Sequence, residues 1–167
     1  MIRDARPEDA AAIAEIYNDA VDNLTAIWTE KRTDAAERAA WIAERQAAGF
    51  PVLVSDEEGR VLGYASYGKF RDKDGYDLTV EHSVYIHRDA RGRGLGTPML
   101  QALIDHARAA GFHAMLGVIA AENQGSIRLH ERLGFTRVGT LPQVGKKFGR
   151  WLDLALLQIT LDDRAHP

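Results

Sequence analysis

The run Arg91-Gly92-Arg93-Gly94-Leu95-Gly96 restricts the fold more than any other part of this chain. It lies between an apolar β-type stretch, Ser83-Val84-Tyr85-Ile86, and a helical one, Met99 to Ala110. Glycine at every second position removes the Cβ atoms where a backbone must bend sharply and let a ligand approach. The helix that follows begins with N–H groups lacking intrahelical partners, which favours an anion such as a phosphate. The N–H groups of Gly92 to Thr97 are therefore expected to form an anion cradle, supported by the helix dipole. A dinucleotide fingerprint fails because Thr97 stands where the third glycine belongs, and a P-loop fails because no Gly-Lys-Ser/Thr follows.

At 167 residues the chain fits one domain, expected over residues 1–163 with a short tail at 164–167. A net charge of −3 lacks the basic excess that nucleic-acid binding demands. The clusters Arg88/Arg91/Arg93 and Lys146/Lys147/Arg150 suit a small polyanion better than a duplex. There is no cysteine, so thiolate nucleophiles, disulfides and cysteine metal sites are excluded. His82, His87, His106 and His113 show no paired metal spacing, and no metal is expected. The charged opening and the lack of any run near the roughly 18 apolar residues of a span lead to an expectation of a cytoplasmic protein without membrane contact.

Hydrophobic periodicity orders the rest. Ile13, Ile16, Tyr17, Ala20 and Val21 define an amphipathic helix opened by Pro7, with Arg6 as a poor N-cap. A second helix runs from Asp34, with Glu37 three residues on, to the stop signals Gly49 and Pro51. Val52–Val54, Val61–Tyr67 and Leu78–Ile86 read as strands, with Arg71 to Tyr76 as a loop. Thr97 as cap and Pro98 as opener are expected to start the third helix, which Gly111 ends. Met115–Ile119 is a strand, Ser126–Leu133 a helix closed by Gly134, and Phe135–Leu141 and Trp151–Leu161 are strands around a polar hairpin-like loop. This order predicts an α/β fold with a mixed sheet of about seven strands flanked by four helices.

With order and motifs together, the chain resembles the GCN5-related N-acetyltransferase superfamily. Arg91-Gly92-Arg93-Gly94-Leu95-Gly96 matches that family's acetyl-CoA signature, and Asn123 to Phe135 matches its second segment, an Asn followed by a short helix ending in Leu-Gly-Phe. Ile16-Tyr17-Asn18, Val80 to Tyr85, Leu129-His130-Glu131 and Gly145 to Trp151 look like the phosphinothricin and methionine sulfoximine acetyltransferases. The resemblance implies a mostly antiparallel sheet, acetyl-CoA as acetyl donor, transfer to the α-amine of a small amino acid, and a homodimer. It also implies that the strand carrying Val84, Tyr85 and Ile86 splays from its neighbour and pairs with the pantetheine amides, while Asn123 and Ser126 meet the cofactor.

An amine attacks only as the free base. At pH 7 deprotonation costs about 1.4 kcal/mol for an amine of pKa near 8, and about 4.6 kcal/mol for a lysine-like one. A carboxylate can offset part of this, and Glu81, just before the splaying strand, is the candidate base. His130 stands where most of the superfamily has a tyrosine that protonates the leaving thiolate. It is either a proton donor or a satisfied helix-face histidine. Asn123 either caps its helix, binds the cofactor, or does both.

An amino-acid acceptor needs a cation for its carboxylate, and a planar guanidinium suits it. Arg71, with Asp74, Gly75 and Tyr76 beside it, is the candidate, the alternative being a solvated loop arginine. Lys147 and Phe148 occupy the late loop that the resemblance brings to the acceptor. Phe70 departs from the Trp that relatives often carry, which alters the pocket. Two other functions stay open: acetylation of a different amine, such as a protein N-terminus or polyamine, and a non-catalytic coenzyme A-binding module.

Overall fold

A computed structural model describes all 167 residues. Seven strands form one sheet: β1 (Ile2–Asp4), β2 (Val52–Glu57), β3 (Arg60–Lys69), β4 (Thr79–Ile86), β5 (Ala114–Ala120), β6 (Thr136–Lys147) and β7 (Arg150–Thr160). The spatial order is β1-β2-β3-β4-β5-β7-β6, and every neighbouring pair is antiparallel except β4 and β5. Four helices cover it: α1 (Ala10–Asn23), α2 (Ala35–Ala47), α3 (Gly96–Ala109) and α4 (Gln124–Arg132).

Strand side chains alternate between faces, so each face acquires its own core. Val52, Val54 and Tyr64 pack with Ile13 and Ile16 of α1 and Ile42 of α2. Leu53, Ala65 and Tyr67 point the other way and pack with Met99, Leu103 and Ile104 of α3 and Ile127 of α4. The helical periodicity read from the sequence thus buries the stripes it marks.

Helix boundaries follow local chemistry. Asp34 accepts from the Glu37 N–H at 2.8 Å while the Glu37 carboxylate accepts from the Asp34 N–H, closing the expected capping box. Two expected starts are corrected. Pro7 opens a short 3₁₀ turn, Pro7–Asp9, and the Asp9 carboxylate takes the Arg6 N–H, so Arg6 supplies no side-chain cap. Helix α3 begins at Gly96 with Leu95 at its N-cap and no side-chain cap, leaving Thr97 inside the first turn with its N–H on Gly94 O. The closing hairpin is also tighter than expected. β6 runs on to Lys147, and only Phe148 (φ 51°) and Gly149 (φ 69°) connect it to β7. Positive φ at both central residues matches the twist of paired strands, as in a type I′ turn.

Candidate active site

Parallel pairing between β4 and β5 runs from Thr79↔Ala114 to His82↔Gly117 and stops. Beyond that point Ser83 to Ile86 pair only with β3, and Val118 to Ala120 only with β7. The facing edges of the two strands part, leaving peptide groups without a strand partner along the opening. Backbone groups in such a position require a polar partner, and an amide-bearing chain supplies one.

A cleft of about 880 Å³ occupies this opening. Val84, Tyr85 and Ile86 form one wall, Val118 to Ala120 the other, and the bend at Arg91, Gly92, Gly94, Leu95 and Gly96 closes one end. Gly92 and Gly94 adopt φ of 77° and 80°, in the left-handed region where a side chain is strained. A Cβ at either glycine would meet nothing within 4 Å, so conformation is what demands glycine there. The N–H groups of Gly92, Arg93, Gly94, Leu95 and Gly96 have no hydrogen-bond partner in the protein. Five successive free donors at the start of a 14-residue helix make a run with the chemistry to receive an anion. Thr97 lies outside it because its N–H closes the helical turn.

The arginines of the motif are held in place by acids. Arg91 pairs with Asp19 of α1 and donates through Nε to Ile86 O at 3.3 Å. Burial pushes the Asp19 pKa up, yet hydrogen bonds from Arg91 and Asn23 outweigh it and the carboxyl ends below its usual range. Arg93 turns to the surface, where it pairs with Glu57 at 2.8 Å, and it does not line the cleft.

Asn123 and Ser126 line the cleft from the start of α4. Asn123 Oδ1 accepts from the Ser126 N–H at 3.1 Å, so it caps the helix while its amide nitrogen stays available. Glu81 lines the end opposite the glycine bend, with its pKa raised by burial and opposed by Arg45. His130, 5% exposed, has both ring nitrogens engaged. Nδ1 lies 2.7 Å from Ser126 O and Nε2 lies 3.0 Å from His82 Nε2.

The acceptor candidates sit elsewhere. Arg71, Asp74, Gly75 and Tyr76 are exposed in the β3–β4 connection and do not line the cleft. Arg71 lies over the Phe70 ring at 5.2 Å, and Phe70 meets Tyr76 edge-on at 5.6 Å. Lys147 is a correction. At 3% exposure its ammonium donates to Ala20 O at 3.0 Å, to Ile27 O at 2.8 Å and to Leu24 O. It neutralises the carbonyl end of α1 and is closed to a substrate. Phe148 borders a separate hollow of about 530 Å³ with Trp28, Arg150 and Trp151.

Sequence reasoning missed the segment Leu24 to Trp28, which forms a further wall of the cleft. A Cβ on Gly145 would lie 2.1 Å from the Trp28 ring, so the indole rests directly on the β6 backbone. That glycine and the buried lysine two residues later were the available signals. His82 was also missed, because its partner lies 48 positions away.

Residues 13–135 match the model of the acetyltransferase (GNAT) family, and the chain belongs to that family, whose members draw the acetyl group from acetyl-CoA. It is 54% identical over 166 residues to the L-amino acid N-acyltransferase MnaT of Escherichia coli (strain K12), covering 99% of this chain and 96% of that protein. An L-methionine sulfoximine/L-methionine sulfone acetyltransferase of Pseudomonas aeruginosa is 56% identical over 162 residues, covering 96% and 94% respectively. The solved structure of a Salmonella typhimurium acetyltransferase with its cofactor acetyl-CoA superposes with a TM-score of 0.98 at 53% identity, covering 100% of this chain and 96% of that one. The seven-stranded sheet with four helices is therefore the GNAT architecture.

Proposed function

We propose that this chain moves an acetyl group from acetyl-CoA to the α-amine of a small amino acid of the methionine sulfoximine, methionine sulfone or phosphinothricin type. The parting of β4 and β5 carries this reading. It joins an anion cradle at one end of the cleft to a half-buried carboxylate at the other. The names of the relatives more than half identical to this chain support the acceptor class.

Acetyl-CoA supplies an acyl carbon activated as a thioester. The free amides of Gly92 to Leu95 and the start of α3 hold its diphosphate, and the Val84–Ile86 backbone, Asn123 and Ser126 orient the arm. A backbone N–H of β4 faces the thioester oxygen and stabilises the charge that develops there. Glu81 takes the proton from the acceptor amine, directly or through one water. Both reactants are bound together, since the chain has no cysteine to form a thioester of its own. Arg71, exposed in the β3–β4 connection with Asp74, Gly75 and Tyr76 and outside the cleft lining, is assigned the acceptor carboxylate, which its guanidinium meets once the acceptor is bound.

The functional unit is a homodimer in the cytoplasm, with residues 1–163 as the catalytic domain. Val138, Leu141, Val144, Phe148 and Trp151 support this pairing, since all are exposed on the terminal hairpin and Trp151 reaches 67%. Apolar area left in water costs about 25 cal/mol per Å², and a two-fold contact between identical strips removes it. Sedimentation of the wild type as a dimer and of Trp151→Glu as a monomer is expected; a monomeric wild type rejects the pairing.

The deciding experiment measures thiol release with free amino acids, their sulfones and sulfoximines, and polyamines as acceptors. Turnover with the sulfoximine and sulfone is expected, falling about 10²–10⁴-fold in Glu81→Gln. Release confined to polyamines, or absent with every acceptor, overturns the proposal.

A further inference from the structure

Two histidines meet where β4 and β5 part. His82 Nε2 lies 3.0 Å from His130 Nε2, within hydrogen-bond distance, with the ring planes near parallel at 21° and the centroids 4.9 Å apart. The proton positions follow from chemistry. Ser126 O is an acceptor only, so the nitrogen 2.7 Å from it, His130 Nδ1, carries a proton. In a neutral ring His130 Nε2 is then the acceptor, and His82 Nε2 must donate. His82 Nδ1 is left with a lone pair, and it is the one buried side-chain nitrogen or oxygen without a hydrogen-bond partner.

The surroundings keep the pair uncharged. Gly117 of β5, Phe135 and the Ser126 carbonyl pack against it, while Glu81 and Arg45 lie on the opposite face of the sheet. No carboxylate or cation from α4, β5 or β6 pairs with either ring. Burial pushes the His82 pKa down to about 3, and burial also lowers that of His130 against the opposing Ser126 carbonyl.

We propose that His82 is a positioning residue of the acetyl-transfer site, whose Nε2–H fixes His130 in the Nδ1–H tautomer and makes it a neutral prop at the apex of the opening. This rests on the reading of the cleft given above and reassigns His130 within it. With both nitrogens occupied, His130 has no proton to hand to a departing sulfur. None is needed, because a thiol of pKa about 8.5 is a competent leaving group near neutral pH.

Nitrogen-15 NMR of histidine-labelled protein without ligand tests this independently of the acceptor. Across pH 5.5 to 8.5, His130 is expected to show a protonated Nδ1 and a bare Nε2, and His82 the reverse, with neither titrating. In His82→Phe, His130 loses its donor and gains a pH-dependent shift, whereas His82→Gln, with an amide N–H to offer, restores the fixed tautomer and part of kcat. Acetyl-CoA affinity by calorimetry is expected to weaken more in His82→Phe than in His82→Gln. Titration of wild-type His130 within that range, or a protonated Nε2, overturns the proposal. Loss of thiol release with normal tautomers in the wild type instead rejects the acetyl-transfer reading.

Discussion

Arg45 of α2 lies so close over Gly68 of β3 that its Nη1 would be 1.8 Å from a β-carbon at that position. Gly68 faces Glu81 across the β3–β4 ladder, so the guanidinium is brought beside the candidate base. Neither group is in a close ion pair, and the charge on Arg45, acting at longer range, opposes the burial that raises the Glu81 pKa. Glu81 must be ionised to accept a proton, so activity is lost as pH falls through its raised pKa. Arg45→Gln removes the opposing charge and should move the acid limb of kcat/KM to higher pH. Gly68→Ala pushes the same flexible guanidinium aside and should shift the limb the same way, with little change in Tm. Limbs unchanged in both variants would separate Arg45 from Glu81.

Gly92→Ala and Gly94→Ala place a side chain in the left-handed region at a cost of about 1–2 kcal/mol each. There is room for the methyl group, so the loss should appear in the aim of the amides rather than in a clash. The KM for acetyl-CoA is expected to rise about tenfold with the acceptor KM little changed. Equal rises in both would remove the cradle from cofactor binding.

Lys147→Met leaves Leu24 O and Ile27 O without a donor in the segment after α1, while Ala20 O keeps the Leu24 N–H. A loss of about 2–4 kcal/mol is expected in urea unfolding. Because Leu24 to Trp28 line the cleft, both Michaelis constants should rise together. A direct substrate contact would raise the acceptor KM alone and leave stability intact.

Arg3 grips the Asp9 carboxylate through two hydrogen bonds of 2.7 and 2.9 Å and reaches Asp56 at 2.8 Å. The hydrogen bond from Arg3 holds the Asp9 pKa below its usual range, despite burial. This stability is full above the unfolded value near 3.9 and disappears as pH falls through the lower folded value. Arg3→Met should cost about 2–3 kcal/mol at pH 7 and flatten the acid dependence of Tm below pH 4. An unaltered acid profile would assign acid unfolding to other groups.

Much of this architecture was legible residue by residue. The stripe Ile13–Ile16–Tyr17–Ala20, the box of Asp34 with Glu37 and the glycines of the bend each act over one or two turns of chain, where periodicity and dihedral preference operate. The extension of β6 to Lys147 escaped notice because Phe148-Gly149 lacks the Asn-Gly spelling of a tight hairpin turn. Arg71 drew attention as a guanidinium in a loop, whereas Arg45 looked like any polar residue on a helix surface.

The sequence alone was enough for the order of helices and strands, the glycine bend before α3 and the candidate base, since each depends on neighbouring residues. Only the tertiary structure decided where β4 leaves β5, which carbonyls Lys147 satisfies, and that His82 and His130 meet over Gly117. Those features depend on register and on close approach between distant segments. A glycine that admits two imidazole rings reads, in the chain, like any other glycine.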